Sequence, residues 1–180
     1  VTGHGIDLDH FPLAEPVDAA GPVAPRLLAV GRMTPAKDPI TLVDALAAWS
    51  RSGGPAEASL DLVGGGLAPG DGAYGDEVRA HIESVGLAER VHLRGDVPYP
   101  QMPPLYRDCF ALVSASRTGS VDKVVLEAMA TGRPVITSND AFPPLFAPLG
   151  EDARLLQFPV GDADALARNL QELAARSPQE

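Results

Sequence analysis

One stretch constrains the fold more than any other, residues 111–139, with the sequence ALVSASRTGSVDKVVLEAMATGRPVITSN. The apolar run at 110–115 predicts a buried strand, and a short polar loop follows at 116–120. A helix is predicted from 121 to about 131, where a glycine ends it, and a second apolar strand is predicted at 135–138. Strand, loop, helix and strand in this order form the βαβ unit, which pairs two parallel strands.

The rest of the chain repeats the same alternation of apolar runs and helical patterns. The predicted strands are 26–31, 59–63, 91–94, 110–115, 135–138 and 154–156, and the predicted helices are 38–49, 76–85, 101–107, 121–131, 142–149 and 162–175. Strands that alternate with helices predict a parallel sheet with helices on both faces.

We therefore expect an α/β fold: a single Rossmann-like, doubly wound domain of about six parallel strands. This domain is predicted to span residues 26–176, after an inter-domain linker and N-terminal extension at 1–25 and before a tail at 177–180. The opening sequence VTGHGIDLDHFP has no initiator Met, and we interpret the chain as a domain of a longer protein.

The predicted topology brings two loops together. Doubly wound sheets bind ligands at the carboxyl ends of their strands, where the strand order reverses. In the order 3-2-1-4-5-6 the reversal lies between strands one and four, so loops 32–38 and 116–120 should face each other. The only two lysines, Lys37 and Lys123, lie in or just after these loops, on a chain whose net charge is −10. Their placement predicts a site for an anionic ligand.

The start of the helix in the central unit suggests what kind of anion. The first N–H groups of a helix lack partners inside it, and the helix dipole adds partial positive charge, so such an end binds phosphate. We expect Gly119 to let the backbone approach the ligand, Ser120 to cap the helix, Val121 to begin it, and Lys123 to add a full charge. This loop is predicted to hold a nucleoside diphosphate.

Composition excludes several other functions. With 14 basic and 24 acidic residues there is no basic stripe for nucleic acid. Cys109 is the only cysteine, so no internal disulfide is possible, and the four histidines share no metal-ligand spacing. No apolar run approaches the length of a membrane span, and no signal peptide is visible, so a cytoplasmic location is expected.

The string GDGAYG places Gly70, Gly72 and Gly75 in a G-x-G-x-x-G pattern. Such a pattern binds dinucleotides when it follows the first strand of the fold directly. Here it follows the second strand at a distance, so we interpret it as a flexible surface loop.

Three stretches resemble the C-terminal, donor-binding domain of family 4 retaining glycosyltransferases with the GT-B fold. The first, VGRMTPAKD, resembles the family loop in which a glycine is followed by an arginine and then by a lysine. The resemblance implies that Gly31, Arg32 and Lys37 bind the diphosphate of the donor. The competing interpretation of Arg32 and Lys37 is a pair of solvated loop charges.

The other two stretches concern the nucleoside. The segment VHLRGDVPYPQMPPLYRDCFALVSAS resembles the family segment in which Gly95, Asp96 and Val97 would border the nucleobase. The segment VVLEAMATGRPVITS resembles the central family helix, in which Glu127 would bind the ribose hydroxyls. The competing interpretation of Glu127 is an ordinary exposed helix glutamate.

The resemblance implies a retaining transfer from a nucleoside diphosphate sugar, with no metal and no cofactor. It also implies a separate N-terminal domain that binds the acceptor. Any contact with a membrane is expected through that domain only, at the inner membrane face, as a peripheral protein. The donor domain alone is then expected to bind nucleotide weakly and to transfer no sugar.

One departure from the family pattern leaves alternatives open. Gly119 stands where the family has a first glutamate, which contacts the transferred sugar, and Asp122 or Lys123 would have to replace it. The alternatives are a sugar-nucleotide epimerase of the same architecture and a non-catalytic nucleotide-binding or scaffold domain.

Overall fold

The computed structural model describes residues 5–15, 24–66, 72–117 and 119–176, and its centre is a parallel sheet. The described strands are β1 (Arg26–Val30), β2 (Ser59–Val63), β3 (Val91–Gly95), β4 (Ala111–Ser114) and β5 (Val135–Thr137). The helices are α1 (Pro39–Arg51), α2 (Ala73–Ser84), α3 (Met102–Asp108), α4 (Lys123–Ala130), α5 (Pro143–Phe146) and α6 (Ala163–Ala174). Turns of 3-10 helix occupy Tyr99–Gln101 and Ala147–Leu156.

The sheet has the order β3-β2-β1-β4-β5, and every neighbouring pair is parallel. Leu27 of β1 lies opposite Leu60 of β2 on one side and Ala111 of β4 on the other. The predicted order is therefore confirmed for five strands, and the reversal lies between β1 and β4. The loops that follow these two strands leave the same edge of the sheet side by side.

Helices cover both faces of the sheet because successive strand residues point to opposite sides. In β1, Leu27 joins the core under α1, α2 and α6, whereas Leu28 joins the core under α3, α4 and α5. Trp49 of α1 is fully buried, and its ring nitrogen donates a hydrogen bond to the side chain of Gln171 on α6 at 2.9 Å. The doubly wound arrangement predicted from the sequence is confirmed.

The sixth predicted strand, residues 154–156, does not form. These residues end a 3-10 segment that is interrupted at Gly150, where φ is 62°. Helical turns bury Leu155 and direct Arg154 outward to Glu172, at 2.8 Å. Only the next residue, Gln157, reaches the sheet, through a single parallel bridge to Thr137.

The glycine string after β2 is helical in its second half, which the sequence interpretation missed. Gly72 precedes α2, and Gly75 lies in its first turn. A Cβ on Gly75 would lie 2.5 Å from the carbonyl oxygen of Gly66, so close packing explains why glycine stands there. The interpretation of this part as a surface loop is therefore wrong, while Gly70 lies outside the described residues.

The segment before the sheet forms no helix or strand over residues 5–15, yet it packs on the domain. Phe11 is fully buried, and its ring meets those of Tyr99 and Tyr106 edge-on at 5.6 Å in both cases. The rest of the predicted linker, 1–4 and 16–23, and the tail at 177–180 lie outside the described residues. None of the described helices is both long and apolar enough to cross a bilayer.

Candidate functional site

The loops after β1 and β4 are joined by direct contacts. Lys37 Nζ lies 2.6 Å from Asp122 Oδ1 and donates to the hydroxyl of Ser116 at 3.2 Å. Arg117 donates its backbone N–H to Ala36 at 2.9 Å. The two loops that the strand order predicts to face each other are therefore in contact, and the lysine of the first loop reaches the residue just before α4.

The first loop begins with a glycine conformation that brings Lys37 over the end of β1. Gly31 has φ of 147°, and a Cβ there would lie 3.7 Å from Cε of Lys37. Asp38 caps α1 by accepting from the N–H of Thr41 at 3.4 Å, and Arg117 donates to the same carboxylate at 2.6 Å. The loop is thus held at both ends, with the Lys37 side chain between them.

A cleft of about 410 Å³ opens at the carboxyl ends of β1, β2 and β3. Its walls come from four segments, and the lining residues are Val30, Gly31, Arg32, Val63, Gly64, Gly65, Gly66, Asp96, Val97 and Met102. Four residues singled out in the sequence therefore share one cleft. Arg32 is exposed and has no ion-pair partner among the described residues. Gly95 ends β3 with φ of 65°, and its carbonyl accepts from Gly64 at 2.8 Å.

A run of three glycines after β2 forms one wall of this cleft. A Cβ on Gly64 would lie 2.0 Å from the carbonyl oxygen of Gly31, and one on Gly65 would lie 3.0 Å from the carboxylate of Asp96. One on Gly66 would lie 2.9 Å from the carbonyl oxygen of Met33. At Gly64 and Gly66 the neighbouring backbone leaves no room for a side chain, whereas at Gly65 the Asp96 side chain would have to move, so this wall of the cleft is formed by backbone groups. These glycines were not among the predicted site residues, although three adjacent glycines directly after a strand are a usable sequence signal.

The start of the central helix differs from the prediction in its details. Helix α4 begins at Lys123, not at Val121, and the residue before it is Asp122, whose side chain makes no cap hydrogen bond. Ser120 is exposed and does not cap the helix. Instead, Asn139 Nδ2 donates a hydrogen bond to the carbonyl oxygen of Ser120 at 2.8 Å, which holds this residue ahead of the helix. Of the described residues, a Cβ on Gly119 would meet Asp140 Oδ1 alone, at 3.6 Å, so none of them makes a steric demand for glycine there. Asp122, the residue before α4, nevertheless contacts Lys37, so the helix begins beside the loop that follows β1.

Glu127 is buried on α4 and is held by a second buried side chain. It is 5% exposed, and its Oε2 accepts a hydrogen bond from the hydroxyl of Tyr106 on α3 at 2.7 Å. Its Oε1 lies 3.9 Å from Lys123 Nζ, one turn earlier on the same helix. Lys123 is half exposed and lies over the ring of Tyr99, 5.4 Å from its centroid. The interpretation of Glu127 as an ordinary exposed glutamate is therefore wrong.

The pKa of Tyr106 reflects its burial beside Glu127. Desolvation raises the pKa of the Tyr106 hydroxyl far above its ordinary value, and the negative charge of Glu127 raises it further. Tyr106 thus remains a hydrogen-bond donor at any working pH. Tyr106 was not among the residues singled out in the sequence, since only the packing of α3 against α4 brings it to Glu127.

Most of the chain matches one protein family. The family model described as "Glycosyl transferases group 1" matches residues 24–176. The chain belongs to this family. Its five-stranded Rossmann-like domain matches the C-terminal domains of GT-B glycosyltransferases.

Individual relatives of this group 1 glycosyltransferase domain are considerably longer. D-inositol 3-phosphate glycosyltransferase from Corynebacterium glutamicum is 30% identical over 145 residues, which are 79% of this chain and 34% of that protein. Sucrose-phosphate synthase from Thermosynechococcus elongatus superposes with a TM-score of 0.77 at 28% identity, over 97% of this chain and 43% of that one. HepE from Anabaena, solved in complex with UDP-glucose, superposes with a TM-score of 0.69 at 24% identity, over 83% of this chain and 39% of that one. The chain thus spans less than half the length of these relatives.

Proposed function

We propose that this chain is the donor-binding domain of a glycosyltransferase that takes a sugar from a nucleoside diphosphate sugar with retention. The observation that carries the proposal is the convergence of Arg32, Lys37 and Lys123 on one sheet edge of a protein with net charge −10. Two carboxylates at this edge, Asp122 and Glu127, each lie near one of the lysines. Arg32 has no such carboxylate among the described residues and remains available for a phosphate group.

The assignment of subsites follows the same edge from β3 to β4. The glycine-walled cleft beside Asp96 and Val97 is proposed to take the nucleobase, and Arg32 with Gly31 to meet the diphosphate. Lys37, Lys123 and the backbone of Gly119, Ser120 and Val121 would surround the phosphate next to the sugar. Glu127 would accept hydrogen bonds from the ribose. UDP in a related solved structure supports a nucleotide of this kind, and the nucleobase is left to experiment.

The chemistry that these residues supply is stabilisation of the leaving group. When the sugar–phosphate bond breaks, negative charge accumulates on the departing diphosphate. Fixed cationic side chains and helix N–H groups that face this charge lower the barrier to bond cleavage. In this proposal the cations do the work without a metal ion. The acceptor would be bound by a second domain, so this domain alone is expected to bind nucleotide and to transfer no sugar.

A specific observation favours one second candidate, a nucleotide-binding domain without catalysis. Gly119 supplies no carboxylate for the sugar, and the nearby Asp122 is already engaged, with Lys37 at 2.6 Å and Asn139 at 3.4 Å. Such a domain would bind nucleoside diphosphates as tightly as their sugar conjugates. The transferase proposal predicts that the conjugate binds more tightly than the free nucleotide.

The test is calorimetric titration of the chain with UDP, GDP and ADP and with their glucose conjugates. Arg32→Ala is compared with Arg168→Ala, which removes the same charge from an exposed position on α6. We expect at least about tenfold weaker nucleotide binding for Arg32→Ala, since a charge-assisted hydrogen bond contributes about 1.5–3 kcal/mol. Arg168→Ala should match the wild type. Equal losses in both variants, or no binding of any of the three nucleotides, would refute the proposal.

A further inference from the structure

The buried contact between Tyr106 and Glu127 carries an inference that rests on the proposed function and deepens it. Both side chains are almost fully buried, and the hydroxyl hydrogen of Tyr106 points at one oxygen of the carboxylate, Oε2, at 2.7 Å. The other oxygen, Oε1, lies 3.9 Å from Nζ of Lys123, whose side chain is half exposed. The two oxygens of Glu127 are therefore in different environments.

Packing alone does not explain the hydroxyl of Tyr106. The Tyr106 ring packs in the core against Phe11, with 5.6 Å between the two ring centroids. A phenylalanine ring would fill the same space. A hydroxyl in the core is unfavourable unless it has a partner, and the carboxylate of Glu127 is the partner it has. What the hydroxyl adds beyond packing is a fixed orientation of that carboxylate.

We propose that Tyr106 is a positioning residue for ribose recognition: its hydroxyl holds Oε2 of Glu127, so that Oε1 faces the ribose hydroxyls of the donor. A free carboxylate can rotate about its last bond, and a ribose would have to fix that rotation on binding. Here the orientation is set before the ligand arrives, which saves part of the ordering entropy. Lys123 Nζ, 3.9 Å from Oε1, is the charged group that a ribose would meet beside this oxygen.

The proposal predicts a specific loss of preference for ribose. The measured quantity is the ratio of Kd values for a 2′,3′-dideoxy nucleotide and its ribose form, with UDP, GDP and ADP each tested against the matching dideoxy compound. For the wild type we expect a ratio of roughly ten- to a hundredfold, the range for a hydrogen bond to a charged group. Glu127→Gln should lower the ratio to near one, and Tyr106→Phe should lower it at least severalfold. Tyr74→Phe, the same chemical change on α2, should keep the wild-type ratio.

A second readout separates positioning from general damage. The preference for UDP over UMP depends on phosphate contacts, which Tyr106 does not make, so Tyr106→Phe should leave it unchanged. A fall of both preferences together would mean that the hydroxyl only supports the fold, and would overturn the proposal. The proposal would also be overturned if Tyr106→Phe kept the wild-type ratio of dideoxy to ribose Kd values while Glu127→Gln lowered that ratio to near one. That outcome would leave the donor site itself supported. No ribose preference in the wild type would overturn the Glu127 assignment and this inference, whereas Arg32-dependent binding would still support the donor site.

If Tyr106→Phe does not fold, fluorine NMR on the unmutated chain gives the same answer. The three tyrosines are replaced by 3-fluorotyrosine, and the signals are assigned with Tyr74→Phe and Tyr99→Phe. At saturation the Tyr106 signal should move with UDP and stay in place with 2′,3′-dideoxy-UDP. Equal movement with both ligands would contradict the proposal.

Discussion

Gly64, the first residue after β2, gives the most specific stability prediction. The atom nearest to a Cβ at this position is the backbone carbonyl oxygen of Gly31, which cannot rotate away as a side chain could. In Gly64→Ala the new Cβ would lie 2.0 Å from the carbonyl oxygen of Gly31, where separations below 3.0 Å essentially never occur. Gly31 would have to move away by about 1 Å. This shift would break the hydrogen bond that its N–H donates to the carbonyl oxygen of Val63 at 2.9 Å. The residue would also keep φ of 135°, which L side chains rarely adopt.

The magnitude follows from these two effects. Backbone strain of this kind costs about 1–3 kcal/mol, and overpacking costs about 1–3 kcal/mol more, so Gly64→Ala should lower the free energy of unfolding by about 2–6 kcal/mol. The matched control is Gly53→Ala, where φ is 91° and no atom of the described residues would lie within 4 Å of the new Cβ, so the backbone strain is the expected cost. Urea unfolding followed by fluorescence of Trp49, the single tryptophan, measures both.

The same substitution should also weaken nucleotide binding, because Gly31 leads directly into Arg32. We expect the affinity for nucleoside diphosphate to fall in Gly64→Ala and to stay at the wild-type value in Gly53→Ala. If the two variants unfold at the same urea concentration and bind equally, the close approach of the β1 and β2 loops is refuted.

Two further predictions concern residues outside the site. Burial raises the pKa of Cys109 to about 12, so iodoacetamide at pH 8 should label this thiol only after unfolding, and rapid labelling of the folded chain would contradict its burial. Asp61→Ala should lower the free energy of unfolding by about 1.5–3 kcal/mol, because the fully buried carboxylate pairs with His92 at 2.8 Å and Arg94 at 3.2 Å, whose half-exposed side chains regain water when it is removed. Asp152→Ala removes an exposed carboxylate and should cost no more than about 1 kcal/mol by thermal unfolding, and equal losses would refute the role of Asp61.

Most of the fold could be predicted because the sequence pattern is local. Short apolar runs alternate with helical periodicity, and this alternation predicts parallel strands. The common doubly wound strand order then brings the loops after β1 and β4 together. The prediction fails where the pattern is ambiguous. Residues 154–156 are apolar enough for a strand, but Pro148 and Gly150 precede them, and the chain winds as 3-10 helix until Gln157.

The candidate site was predictable only in part, because its contacts join residues far apart in the chain. Gly31, Arg32 and Lys37 could be predicted because they occur together in one short loop sequence, VGRMTPAKD. The pairing of Lys37 with Asp122 spans 85 positions, and that of Tyr106 with Glu127 spans 21. Neither pair has a sequence signal, since each forms only when two separate elements pack. These contacts decide which charges remain available to a ligand.

The most direct test of a diphosphate site at the β1–β4 crevice is the difference in affinity between a nucleoside diphosphate and its monophosphate. The chain is titrated calorimetrically with UDP and UMP, GDP and GMP, and ADP and AMP. We predict that the diphosphate of the preferred pair binds at least about tenfold more tightly, and that Arg32→Ala removes this advantage. Equal affinity for the two members of each pair, in the wild type, would contradict the account.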